Sequence, residues 1–278
     1  TLQGIVLSKN ADLFTVESEE GVFKLKPSGK TKASGIFVGD RVVFSDAITE
    51  VKERKNLLVR PPLANVDKCF IVICPIPKPD FVLVDKVIVY CLLKGIQPII
   101  VVNKIDLAEQ SFLDEIAAAY KSFEIVKVSA KNGLVSELVS HIDGVCTLAG
   151  QSAVGKSSII NALFADQLEK VGQLSKKTER GRQTTRLVTL YKTENGYLAD
   201  TAGFSLLDLS FVSDIDYREL SAYYPDFLQA RAECKYRSCL HEGGDCGVIE
   251  AVKQGRISKL RYQNYLKILS ELRNAKKF

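Results

Sequence analysis

The amino-acid sequence predicts a multidomain α/β protein: a small β-barrel, then a mostly parallel sheet flanked by helices, then a helical unit around a Cys/His cluster. Three observations carry this. Short alternating strands separated by turn residues fill the first 62 residues. From there to residue 208, apolar strands alternate with helical segments, the pattern of a parallel sheet. Beyond that point the spacing is mainly helical, and four metal-ligating side chains fall between Cys234 and Cys246. The expected units are 1–62, 63–208 and 209–278.

Composition sets the outer limits. A chain of 278 residues suffices for about two to three domains. Hydrophobic residues at 46% and charged residues at 26% give an ordinary globular balance. The net charge of +5 is mild, so its distribution matters more than its sum. No apolar run approaches the ~18–20 residues a bilayer requires, and no signal peptide is evident, so no membrane partner is expected. Seven unevenly spaced cysteines do not form a secreted disulfide framework. A reducing cytoplasm is expected, with clustered cysteines as metal ligands.

In order along the chain, "GIVLSKN", "LFTVES", "GVFKLK" and "DRVVFSDAITEV" alternate as strands and suggest the barrel. "RPPLANVD" (Arg60 to Asp67) marks a boundary through its prolines. "KCFIVICPI" reads as a buried strand and "DFVLVDKVIVYCLLKG" as a helix stopped by Gly95. "QPIIVVNKID" is a strand and loop, "FLDEIAAAYKSF" a helix, and "EIVKVSAKNG" another strand and loop. "GVCTLAG" leads into a glycine-rich turn, and "KSSIINALF" is the helix after it. Lys170 to Arg186 lacks apolar periodicity, carries six basic residues against one acid, and reads as a long mobile loop.

The chemistry starts at "GQSAVGKSS": Gly150, Gln151, Ser152, Ala153, Val154, Gly155, Lys156, Ser157 and Ser158. Its G-x-x-x-x-G-K-S spacing, between a strand and a helix, is that of a phosphate-binding loop. The glycines let backbone N–H groups approach phosphate oxygens, and the helix directs its positive end at them. Lys156 is placed for the β- and γ-phosphates, and the Ser157 hydroxyl for Mg²⁺. "YLADTAGF" adds Asp200 on the metal side and a Gly203 N–H for a γ-phosphate.

Base choice is read from "NKID" and "SAK". Guanine presents N1–H and N2–H₂ as paired donors, which the Asp106 carboxylate can accept together; adenine offers a lone pair there instead. Such buried mismatches discriminate by ~10⁴–10⁵. Asn103 is expected to brace the loop, the Lys104 stem to cover the base, and the Ala130 N–H, within Ser129 to Lys131, to meet guanine O6. These parts occur in the order base loop, base loop, phosphate loop, switch, D-x-x-G, which is a circular permutation. A parallel sheet tolerates one if the old termini lie close together.

The series "NKID", "SAK", "GQSAVGKS", "GRQTTR", "DTAGF" resembles the circularly permuted, small-ribosomal-subunit-dependent GTPases of the RsgA (YjeQ/YloQ) family. The likeness extends to the N-terminal barrel, the "RPP" linker and the Cys/His cluster, so to nearly the whole chain. It implies an N-terminal OB-fold, a permuted P-loop GTPase domain and a C-terminal helical zinc-binding domain. It also implies GTP hydrolysis to GDP, stimulated by the small ribosomal subunit late in its maturation. By family position Thr185 or Thr184 completes the Mg²⁺ shell. Gln183 stands where the family often has a His that is a candidate for positioning the attacking water, so the activating group stays open. Phe204 follows "DTAG" where Ras-like enzymes carry a water-orienting Gln, which predicts slow intrinsic turnover.

"CKYRSCLHEGGDC" places Cys234, Cys239, His241 and Cys246 at C-x4-C-x-H-x4-C, a closed set suited to one structural Zn²⁺. The other cysteines lie in apolar stretches and read as core; His141 ends a helix and reads as a cap. Lys253 to Lys277 holds eight basic residues and one acid, with Tyr262 and Tyr265 between them, and reads as an RNA-binding helix. Lys24, Lys26, Lys30 and Lys32 flank a second, weaker candidate RNA contact. The partners expected are therefore the small ribosomal subunit with its rRNA and GTP or GDP, with no DNA, and the chain is expected to be a monomer. One alternative is a GTP-gated RNA-binding module whose hydrolysis is incidental. An ATP-using small-molecule kinase is another, which the base loops oppose.

Overall fold

A computed structural model describes residues 1–29, 31–59, 61–176, 188–201 and 215–275. Alternating apolar residues build β1 (Leu2–Asn10), β2 (Leu13–Ser18), β3 (Gly21–Leu25), β4 (Arg41–Phe44) and β5 (Ile48–Val51). Their inward faces supply one core: Val6, Phe14, Val16, Leu25, Ile36, Val42, Phe44 and Ile48. β1 pairs with β2 and β4, β2 with β3, and β4 with β5. Ile48 of β5 bridges to Pro27, just past β3, which brings the five strands into a circuit. A hairpin follows, β6 (Leu57–Val59) and β7 (Pro62–Ala64), so the boundary expected after residue 62 falls within β7. Gly39 (φ +89°) lets it approach, since a Cβ there would meet the Ala64 carbonyl at 2.2 Å.

The second pattern is a sheet with helices on its faces. It comprises β8 (Lys68–Ile73), α1 (Phe81–Leu93), β9 (Gln97–Val102), α2 (Gln110–Ala119), β10 (Glu124–Lys127), α3 (Ser136–His141), β11 (Gly144–Ala149), α4 (Lys156–Lys176), β12 (Val188–Lys192) and β13 (Gly196–Thr201). The strand order is β10-β9-β8-β11-β13-β12, parallel except for β12, which runs antiparallel to β13. β12 also pairs with β1 at Ser8↔Thr189, so barrel and sheet are continuous. Glu17 fastens that seam, accepting from Lys192 Nζ at 2.8 Å and the Tyr197 hydroxyl at 2.5 Å.

α1 starts where Asp80 caps the Leu83 N–H at 3.0 Å and ends at Gly95 (φ +69°), as expected. Every residue from Leu83 to Cys91 is buried, because the helix lies between the sheet and the C-terminal unit. That unit holds α5 (Leu228–Arg231), α6 (Gly247–Lys253) and α7 (Lys259–Ala275). α7 packs along α1 in a core with Val89, Leu220, Tyr224, Phe227, Tyr265 and Leu269.

Two expectations change. α4 continues to Lys176, with a non-helical break at Phe164, so residues 170–176 are helical rather than part of a loop. The basic stretch from Lys253 is not one helix: Gly255 (φ +72°) separates α6 from α7. Nor is it a free basic face. Arg261 is 0% exposed and joins Asp85 and Asp226. Arg256 pairs with Glu233 and Arg273 with Glu242, while Tyr262 and Tyr265 donate to the His241 and Leu240 carbonyls.

Candidate active site and metal centre

β11 delivers the chain into the phosphate loop at the carboxyl edge of the parallel strands, where α/β sheets bind ligands. The turn needs backbone that only small residues accept readily: Gly150 has φ +140°, Ala153 +64° and Gly155 +97°. A Cβ on Gly150 would lie 2.4 Å from the Val72 carbonyl, and one on Gly155 2.3 Å from Asn103 Nδ2. Ser152, Ala153, Ser157 and Ser158 are exposed around the loop. Lys156 Nζ donates to the Gly150 and Gln151 carbonyls at 2.6 and 2.7 Å. Burial lowers its pKa, so an anionic ligand is the natural replacement for those carbonyls.

Asn103, 1% exposed, ties the site together. Its Nδ2 donates to the Val154 carbonyl at 2.9 Å, and its Oδ1 accepts from the Ala130 N–H at 3.1 Å. One side chain thus holds phosphate loop and both base loops in register. The Ser129 hydroxyl donates to Asp106 Oδ1 at 2.5 Å, orienting a carboxylate that is otherwise exposed. Lys104 (φ +58°) donates to the Ile76 and Ala153 carbonyls at 2.8 Å each, so its stem is held along the loop. Lys131 is exposed on the turn after Ala130.

Asp200, one residue before the end of β13, lies beside β11 in the register that pairs Ala199 with Thr147. It therefore sits next to the strand that enters the phosphate loop. Burial raises its pKa, a cost that a divalent cation would offset. Gln183, Thr184, Thr185 and Gly203 lie outside the described residues. Sequence reasoning missed one role: the Gln151 carboxamide reaches away from the loop, to Lys78 O at 3.0 Å and Asp80 N at 2.7 Å.

The ligand atoms of Cys234, Cys239, His241 and Cys246 all lie within 4.8 Å of one another. Cys234 Sγ is 3.8 Å from Cys246 Sγ, and His241 Nδ1 is 3.5 and 3.4 Å from those two sulfurs. A tetrahedral zinc with Zn–S near 2.3 Å and Zn–N near 2.0 Å sets edges of about 3.8 Å between sulfurs and about 3.5 Å from sulfur to nitrogen. The three edges among Cys234, His241 and Cys246 match these values and Cys239 lies within the same 4.8 Å span, so the residues fit the ion. Burial, then Arg231, lowers His241 to about 4, which keeps the imidazole neutral and able to ligate. Among the described residues its Nε2 has no hydrogen-bond partner; the ring packs on Phe227 and Tyr265. The remaining cysteines, 69, 74, 91 and 146, are buried thiols, and His141 binds the Glu137 carbonyl in the last turn of α3.

The phosphate loop, the two base loops preceding it in sequence, and the parallel sheet beneath define a circularly permuted P-loop GTPase. Comparison with known proteins agrees. The model of the RsgA GTPase family matches residues 51–210. A small ribosomal subunit biogenesis GTPase RsgA of Geobacillus sp. (strain WCH70) is 37% identical, covering 99% of this chain and 98% of that protein. That of Thermotoga neapolitana is also 37% identical, covering 97% and 96%. Among solved structures, YjeQ from Thermotoga maritima superposes with TM-score 0.81 at 34% identity, over 98% of both chains. YloQ, described as a circularly permuted GTPase, gives 0.80 at 29% identity, over 100% of this chain and 96% of that one. The chain belongs to the RsgA GTPase family.

Proposed function

We propose that this GTPase serves late maturation of the small ribosomal subunit: docking on that subunit stimulates hydrolysis, and hydrolysis releases the protein. The nucleotide half of the reading is carried by Asn103, whose single amide fastens the phosphate loop to the base loops. The ribosomal half is supported by relatives whose names state that role and which match this chain nearly end to end.

In the proposed site Asp106 accepts from guanine N1–H and N2–H₂, and the Ala130 N–H is shared between Asn103 Oδ1 and guanine O6. Lys156 exchanges its two loop carbonyls for phosphate oxygens. Ser157, Asp200 and Thr185 or Thr184 would hold Mg²⁺, which would supply positive charge to the phosphates. Water forms a bond to the γ-phosphorus as the bond to the bridging oxygen breaks, giving GDP and phosphate. The Lys156 ammonium and loop N–H groups, with that of Gly203, meet the developing charge; Gln183 orients the water. One zinc at the Cys/His cluster serves structure, since all its ligand positions are filled.

The three units are 1–62, an OB-fold; 63–208, the GTPase domain; and 209–278, the zinc-binding domain. The strand circuit β1-β2-β3-β5-β4 supports the first. Ribosomal RNA contact is assigned to the barrel and to exposed Lys259 and Lys267, together with Tyr236 between Lys235 and Arg237. The protein acts as a cytoplasmic monomer, and among its described residues no helix is long and apolar enough to cross a membrane.

Sedimentation with purified subunits tests this. The chain with a non-hydrolysable GTP analogue should pellet with small subunits and not large ones, be released by GDP, and lose affinity steeply as salt rises. Equal binding to both subunits, or to neither, would contradict it.

A further inference from the structure

The segment from Pro75 to Asp80 crosses the phosphate loop and carries three prolines, Pro75, Pro77 and Pro79. Prolines lack an N–H, so this strap cannot join a sheet through them. Two side chains from the site hold it instead. The Gln151 carboxamide donates to Lys78 O at 3.0 Å and accepts from Asp80 N at 2.7 Å. Lys104 Nζ joins Ile76 O to Ala153 O, at 2.8 Å each. The strap then becomes α1, with Asp80 as its cap. At the first residue of α1, the Phe81 carbonyl accepts from Asn264 Nδ2 of α7 at 3.0 Å. Asn264 is 2% exposed. Further along, α1 is locked to α7 by Asp85–Arg261 and Lys86–Glu271.

We propose that Gln151 is a positioning residue that couples the nucleotide site to α7 through this strap, in the order Gln151, Asp80, Phe81, Asn264. The inference rests on the nucleotide reading above. The differential contact that drives it is Lys156. Its ammonium donates to the Gly150 and Gln151 carbonyls. Phosphate oxygens compete for that ammonium and so loosen its hold on the peptide that bears the Gln151 side chain. That side chain passes the change to Asp80, and α1, buried from Leu83 to Cys91, passes it on as a packed unit. Coupling of this kind is reciprocal: what tightens α7 on α1 also changes nucleotide affinity.

The test compares the full chain with Gln151→Ala and, at the far end, Asn264→Leu. Fluorescent GDP is titrated into each, and amide exchange across α7 is measured with and without saturating GDP. Gln151→Ala should weaken GDP about tenfold, the scale of two lost hydrogen bonds. Asn264→Leu, which touches no nucleotide, should weaken it roughly threefold, a small coupling energy. GDP should alter α7 exchange in the wild type and leave it unchanged in both variants. A wild type that binds GDP with no change in α7, or variants that match it in both readouts, would overturn the coupling alone. A wild type that binds no GDP would overturn the nucleotide site and the coupling together.

Discussion

In the proposed site Asp106 is the carboxylate that selects the base. The carboxylate is exposed, yet one of its oxygens is already held by Ser129 at 2.5 Å, leaving it turned for a paired donor. Asp106→Asn replaces an acceptor with an N–H₂ donor, which faces guanine N1–H and N2–H₂ badly and suits xanthine, whose C2 bears an oxygen. We expect GTP affinity to fall by at least about a hundredfold, the scale of a charged hydrogen bond lost with a mismatch added, while xanthosine triphosphate gains. Competitive titration of the two nucleotides checks this; unchanged preference would remove Asp106 from the base site. At this scale the sequence names the candidate residues, and the fold brings "NKID", "SAK" and the phosphate loop together. What the sequence could not show is that Asn103 reaches both loops at once, since residues 103, 130 and 154 meet only through the fold. The outward turn of Gln151 was hidden for the same reason.

Among elements, α1 and α7 carry the least expected feature. Arg261 is buried with Asp85 and Asp226, while Tyr120 and Tyr224 donate to the Asp85 carboxylate at 3.1 and 3.3 Å. Burial raises the Asp85 pKa against the pull of Arg261. Removing one partner strands buried charge, so Arg261→Met should cost about 3–5 kcal/mol. Adding Asp85→Asn should recover part of that, since one carboxylate no longer lacks its cation. Thermal unfolding of both variants checks the order; equal loss in the single and double variants would contradict it. The sequence did hold a hint, an Asp and a Lys inside the otherwise apolar "FVLVDKVIVYCLL". Reading Arg261 as an RNA contact followed from counting charge along one segment. The acids that neutralise it come from positions 85 and 226, which no local window contains. Strands and helices were legible where periodicity was strong, from β8 through the start of α4. Past Phe164 the helix is hard to read because the basic and polar residues from Lys170 to Arg186 dominate, although Leu168, Val171 and Leu174 recur at three-residue spacing.

For the whole molecule, permutation has a mechanical result. β13 carries Asp200 opposite Thr189 of β12, which pairs with Ser8 of the barrel, and at the other end of this hairpin Glu17 binds Lys192 and Tyr197. α1 starts at the strap that Gln151 of the phosphate loop holds, and binds α7 along its length. Both flanking units are therefore fastened to elements that touch the nucleotide site, so a surface that grips them can act on hydrolysis. The motif order was readable directly from the sequence; these fastenings were not, because they join residues more than a hundred positions apart. The most direct measurement is steady-state GTP hydrolysis by the chain alone, with small subunits, and with large subunits, using ATP as the control nucleotide. The account predicts slow turnover alone, strong stimulation by small subunits only, and little turnover of ATP. Turnover unchanged by small subunits would contradict it.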